Sequence, residues 1–182
     1  MRRINADILK SRIEALEGKL PKGRLGITGP AGTGKTQFCL TAAARLSHHY
    51  NVSLLVPNTE FSNAVERLRE LGANMSNVKF GLEDADVTIV DDVTELLMSV
   101  PKRKILEFFK GLRRPYLVTS QIRDPGSIPS IRVPRIRRYV IDERIELIYG
   151  SAYLRLLTRK KLAFYYEIRP EGFTLRSFLL SR

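Results

Sequence analysis

Apolar and polar positions alternate along this chain with two different periods, and those periods predict its elements. Residues 3–18 carry Ile4, Ile8, Leu9, Ile13 and Leu16 near helical spacing, which predicts a short amphipathic helix. The Pro21-Lys22-Gly23 turn leads into a strand, Arg24 to Thr28. Phe38, Leu40, Ala43 and Leu46 then mark a helix over about residues 35–47. Val52 to Val56 reads as a second strand, and Ala64, Val65, Leu68 and Leu71 mark a helix that Gly72 stops. A third strand covers Val87 to Val90, residues 93–112 are helical with a break near Pro101, and Tyr116 to Thr119 forms a fourth strand. Strands alternating with helices imply an α/β fold, a mostly parallel sheet flanked by helices on both faces.

After Gln121 the pattern changes. Asp124-Pro125-Gly126-Ser127-Ile128-Pro129 and Pro134 mark a loop long enough to suggest a task of its own. Beyond it, Ile145 to Ile148, Tyr153 to Leu157 and Ala163 to Ile168 carry β-branched and aromatic residues in short runs, which predicts antiparallel strands at the C-terminal end. The organisation expected is one domain over residues 1–182: a helix in 1–20, an α/β core over 21–121, a loop over 122–138 and a β-rich extension over 139–182.

Length and composition narrow the classes open to it. The chain has 182 residues, 43% hydrophobic and 27% charged, which suits one folded globular domain and not a disordered tail. No apolar run reaches 18 residues, so a spanning helix is not expected. The first residues, Met1 to Asp7, lack the apolar centre of a signal peptide, and a cytoplasmic protein, nucleoid association included, is the expectation. A single cysteine, Cys39, and two histidines argue against a disulfide framework or a Cys/His zinc site. The net charge of +12 is unevenly spread: residues 1–100 hold 12 basic and 12 acidic residues, residues 101–182 hold 19 and 7. A basic half beside a neutral half points to a polyanionic partner for the C-terminal part, an Arg-rich solvated surface being the plainer reading.

The chemistry concentrates in the first half. Gly29-Pro30-Ala31-Gly32-Thr33-Gly34-Lys35-Thr36 fits the P-loop pattern between a predicted strand and a predicted helix, with Gln37 next. Its glycines permit backbone angles that turn successive N–H groups toward phosphate oxygens, and the helix presents its positive end to the same anion. Lys35 is expected to reach the β- and γ-phosphates, and the Thr36 hydroxyl to bind Mg²⁺. Val87 to Val90 ends in Asp91-Asp92, an apolar strand delivering carboxylates to the edge where ligands gather; Asp91 is the expected second metal group, in the manner of a Walker B acid. Glu60 and Asp92 compete as the group that activates water, and Gln121, at the end of the fourth strand, is placed to sense a γ-phosphate.

Taken together, these motifs resemble those of the RecA superfamily of P-loop ATPases, in particular archaeal recombinase paralogues of the RadA/RadB kind. The resemblance rests on Gly34-Lys35-Thr36-Gln37-Phe38-Cys39, on Thr59-Glu60 after the second strand, on Thr119-Ser120-Gln121-Ile122-Arg123, and on the approach segment Leu16 to Gly23. It implies a RecA-like core, an ATPase with ATP and Mg²⁺, Glu60 as the catalytic base, and Gln121 coupling the nucleotide to DNA. It places a DNA-binding loop after Gln121, where Arg123, Arg132, Arg135, Arg137 and Arg138 would contact phosphates, single strands being the expected substrate. Arg159 or Lys161, in what reads as a turn, could act in trans on a neighbouring subunit. Only 30 residues run from Asp91 to Gln121, which leaves little room for the family's first DNA loop. No separate DNA-binding domain is expected ahead of the core, and Phe61-Ser62-Asn63-Ala64 is read as a helix start and not as a polymerisation segment.

These departures favour an accessory factor in recombination or repair, working with a RecA-family recombinase or by self-association, with turnover that could be weak. Two other readings stand beside it. One is a KaiC-like or paralogue subunit that binds ATP as a switch and scarcely hydrolyses it. The other is an AAA+-type remodelling ATPase, which the P-loop letters also suit but the strand-like C-terminus does not.

Overall fold

The computed structural model describes residues 13–57, 59–93, 101–113, 115–121, 143–156 and 159–178. Its elements are β1 (Arg24–Gly29), α1 (Lys35–Leu46), β2 (Val52–Leu55), α2 (Phe61–Glu70), β3 (Val78–Phe80), β4 (Val87–Val90), α3 (Lys102–Gly111), β5 (Tyr116–Gln121), β6 (Glu143–Ile148), β7 (Ser151–Leu156), β8 (Arg159–Arg169) and β9 (Gly172–Phe178). Among the described residues they form one nine-stranded sheet in the order β3-β2-β4-β5-β1-β6-β7-β8-β9. The strands from β3 to β6 run parallel, and β7, β8 and β9 continue the sheet antiparallel.

The expected architecture therefore holds, with four corrections. Residues 14–17, expected at the end of a helix, form a 3₁₀ turn closed by Gly18 at φ 76°, where a side chain would press on the Arg45 carbonyl. The rest of that predicted helix, residues 3–12, lies outside the described residues. β3 is new, three residues being too few to show a period. β6, expected in the antiparallel extension, pairs parallel to β1, with Ile145 beside Ile27. A strand's direction in a sheet is decided by the connection that delivers it and not by its own letters. Finally, Arg159 and Lys161 lie in β8 and not in a turn.

Burial explains the layering. β1, β2, β4 and β5 are buried over most of their length, as strands covered on both faces must be. On one face α1 sits in the main core with Leu25, Ile27, Leu54, Ile89, Leu117, Ile145 and Leu147. Small residues Ala42, Ala43 and Ala44 let neighbours approach this helix closely, and it is buried nearly all round. Each fully buried aliphatic side chain contributes about 1.5–3 kcal/mol by leaving water. On the other face Val90, Val93, Val118, Tyr116 and Phe109 of α3 are buried, with the rings of Phe109 and Tyr116 6.2 Å apart.

Strand order decides which chain ends meet. β5 lies between β1 and β4, so the end of β5 is flanked by the loop leaving β1 and the acids leaving β4. In register, Gly29 stands beside Gln121, and Val90 beside Val118. The parallel strands thus deliver their C-terminal ends to one edge, the place where open α/β sheets hold ligands.

Candidate phosphate and metal site

The loop from Gly29 to Gly34 connects β1 to α1. Gly32 and Gly34 adopt φ +74° and +88°, a region L side chains enter only with strain. A Cβ on Gly34 would meet Ile168 Cδ1 at 2.6 Å, and one on Gly29 would meet the Leu147 carbonyl oxygen at 2.5 Å. At Gly32 no protein atom lies within 4 Å of that position. Thr33 Oγ1 donates to the Pro30 carbonyl at 2.9 Å, bracing the loop across its own turn. Gly34 caps α1, and the Phe38 amide donates to its carbonyl.

Lys35 is 8% exposed and curls back over the loop, donating to the carbonyls of Gly29 at 3.1 Å and Pro30 at 2.8 Å. Burial lowers its pKa, while the carboxylates of Asp92 and Asp91 act in the opposite sense. Asp91 is 2% exposed; its amide donates to the Leu55 carbonyl at 2.8 Å, and its carboxylate accepts from the Thr119 hydroxyl. Burial raises its pKa most, opposed by the hydroxyls of Thr119 and Thr36, with Asp92 pushing further up and Lys35 pulling down. The same burial pushes the Cys39 thiol well up, which suits an inert core residue.

The structure thus brings together Lys35, Thr36, Asp91 and Asp92, and Gln121 stands in register beside Gly29. A carboxylate and a hydroxyl are hard oxygen donors, the kind a Mg²⁺ ion takes alongside phosphate oxygens. Thr36 and Asp91 therefore fit the metal expected of them. Glu60 is the N-cap residue of α2, exposed, with its carboxylate accepting from Asn63 Nδ2 at 3.4 Å. Gln37 accepts through its side-chain oxygen from Arg67 Nε at 3.2 Å, and the same Arg67 also reaches the Arg169 carbonyl. Arg123, Arg132, Arg135, Arg137 and Arg138 lie outside the described residues, as do the side chains of Arg159 and Lys161.

Two participants escape a reading of the sequence. Thr119 is the partner of Asp91, and its only signal is a position two residues before Gln121, hence on the same face of β5. Tyr166 of β8 donates its hydroxyl to the Thr33 carbonyl at 2.6 Å, across 133 residues of sequence, and nothing local announces it.

No protein-family model and no curated protein matches the sequence. Solved structures do resemble it. A KaiC-like protein from the hyperthermophilic archaeon Pyrococcus horikoshii superposes with a TM-score of 0.60 at 14% identity, over 88% of this chain and 93% of that one. The flagellar accessory protein FlaH of Methanocaldococcus jannaschii gives a TM-score of 0.66 at 18% identity, over 96% and 97%. At such identities the likeness is one of fold, and the fold of this chain is RecA-like: a P-loop core of mostly parallel strands flanked by helices, extended by antiparallel strands.

Proposed function

We propose that this chain binds ATP with Mg²⁺ and hydrolyses it. The observation that carries the reading is the buried Asp91 carboxylate, bonded to Thr119 of β5 and with its charged form favoured by the Thr36 hydroxyl of the P-loop, although Thr36 and Asp91 are 55 residues apart. Lys35 supplies a desolvated cation that can exchange two backbone carbonyls for phosphate oxygens. The loop amides and the start of α1 favour the remaining charge. Thr36 and Asp91 hold the Mg²⁺, which neutralises charge developing between the β- and γ-phosphates. Glu60 is assigned to orient and deprotonate the attacking water on the sequence resemblance, and Asp92, within the field of Lys35 and Asp91, is its competitor. Gln121, beside Gly29, links the nucleotide to the chain that follows β5.

The experiment is a titration with a fluorescent ATP analogue, with and without Mg²⁺, on the protein and its Lys35→Ala variant, followed by phosphate release from Glu60→Gln and Asp92→Asn. Affinity that survives Lys35→Ala would overturn the site. Loss of turnover in only one of the two carboxylate variants identifies the base; robust binding without turnover in the unsubstituted protein leaves the switch reading in its place.

DNA binding, and with it an accessory role beside a recombinase, is supported by the charge alone, all of the +12 falling in residues 101–182. If five arginines neutralise phosphates of a single strand, log K should fall with log[salt] at a slope of about −3.5. No binding at low salt removes this part of the proposal and leaves the nucleotide site untouched.

A further inference from the structure

The antiparallel strands reach back to the P-loop through two alternate residues of β8. Ile168 lies so close to Gly34 that a Cβ there would meet its Cδ1 at 2.6 Å, and the Tyr166 hydroxyl donates to the Thr33 carbonyl at 2.6 Å. The Tyr166 amide donates to the carbonyl of Gly150, in the turn between β6 and β7, at 2.8 Å. Tyr166 is 4% exposed. Its ring stacks on Phe173 of β9 (centroids 4.5 Å apart, planes 19° apart), and Phe173 meets Phe38 of α1 edge-on at 5.0 Å. The Phe173 amide donates to Thr41 Oγ1 on α1 at 2.9 Å. The phenol is therefore held from several sides, and it holds one peptide of the loop.

That peptide is Thr33–Gly34, the last before α1. Because a trans peptide is planar, fixing its carbonyl fixes the direction of the Gly34 N–H. We infer that Tyr166 is a positioning residue for the phosphate site: its hydroxyl keeps the Thr33–Gly34 peptide, and so the Gly34 amide, in the anion-binding orientation, coupling the antiparallel strands to the P-loop. The inference rests on the nucleotide site proposed above. A loop ordered before the ligand arrives loses less entropy on binding, so the effect falls on affinity. Phosphate is held equally in ground and transition states by such an amide, so KM should rise while kcat is kept.

The test is Tyr166→Phe, which keeps ring, stacking and volume and removes the hydroxyl. Titration with a fluorescent ATP analogue should show Kd raised roughly three- to tenfold at full stoichiometry, with KM for ATP rising in parallel. A merely structural role moves the other quantity, lowering stoichiometry and kcat per mole of protein while Kd stays. Unchanged Kd in a variant that still binds would overturn the inference; no ATP binding by the unsubstituted protein would instead overturn the site itself and this inference with it. Should Tyr166→Phe not fold, amide exchange on the unsubstituted protein decides: the Tyr166 amide, bonded to the Gly150 carbonyl, should exchange more slowly with ATP bound, and an unchanged rate refutes the coupling.

Discussion

A methyl group added at Gly32 should separate stability from phosphate binding. The perturbation is Gly32→Ala. At φ +74° an alanine costs about 1–2 kcal/mol in backbone strain, while the new Cβ meets no protein atom within 4 Å, so no clash is added. Stability should fall by about that much, which for a domain of this size lowers Tm by about 2–8 °C. Gly29→Ala is the contrast: its Cβ would sit 2.5 Å from the Leu147 carbonyl oxygen and 2.8 Å from Thr33 Oγ1, and the former is backbone of a buried strand that cannot swing aside. Overpacking of that kind costs about 1–3 kcal/mol and occasionally more, and relieving it would require β6 to shift. Binding should order the other way. If the alanine relaxes toward negative φ, the amides around it turn from the phosphate; if it does not, the strained state must be populated to bind. Either route weakens ATP by about tenfold or more, since about 1.4 kcal/mol is one decade. Urea melts followed by circular dichroism, beside ATP titrations, measure both. An affinity in Gly32→Ala equal to that of the unsubstituted protein, or a stability loss well beyond about 2 kcal/mol, would refute the reasoning.

The core and the acids give further outcomes. Burial raises the Asp91 pKa above its ordinary 3.8, so the folded state holds that proton more tightly than the unfolded one and stability falls as pH rises from about 3.8 through the raised native value. Asp91→Asn should flatten that part of the stability–pH curve and make the nucleotide-free protein more stable at neutral pH, while Mg²⁺-dependent ATP binding is lost; urea midpoints across pH read the first and titrations the second. Phe38→Ala, at a fully buried site against Phe173, should cost about 3–5 kcal/mol, a large part of a domain's net stability, and urea melts should register it. Thr41→Val removes the acceptor of the buried Phe173 amide at little change in volume and should cost about 1–3 kcal/mol by the same measurement.

Whatever the chemistry writes in adjacent residues was legible without a structure. The Gly29–Thr36 run specifies a tight loop between a strand and a helix because the glycines whose backbone angles it needs lie within one turn, and Val87 to Asp91 specifies a buried strand with an acid at its end for the same reason. Alternating periods sufficed for the α/β class because each period reports on one element and its solvent face. Pairing between strands is another matter. That β5 separates β1 from β4, that β6 runs parallel to β1, that Thr119 faces Asp91 and that Tyr166 holds Thr33 are matters of contact between distant segments, up to 133 residues apart. Such contacts depend on which way each connecting segment carries the chain, and on which strands then find their hydrogen bonds together. No local pattern encodes that choice, and only the assembled sheet makes it.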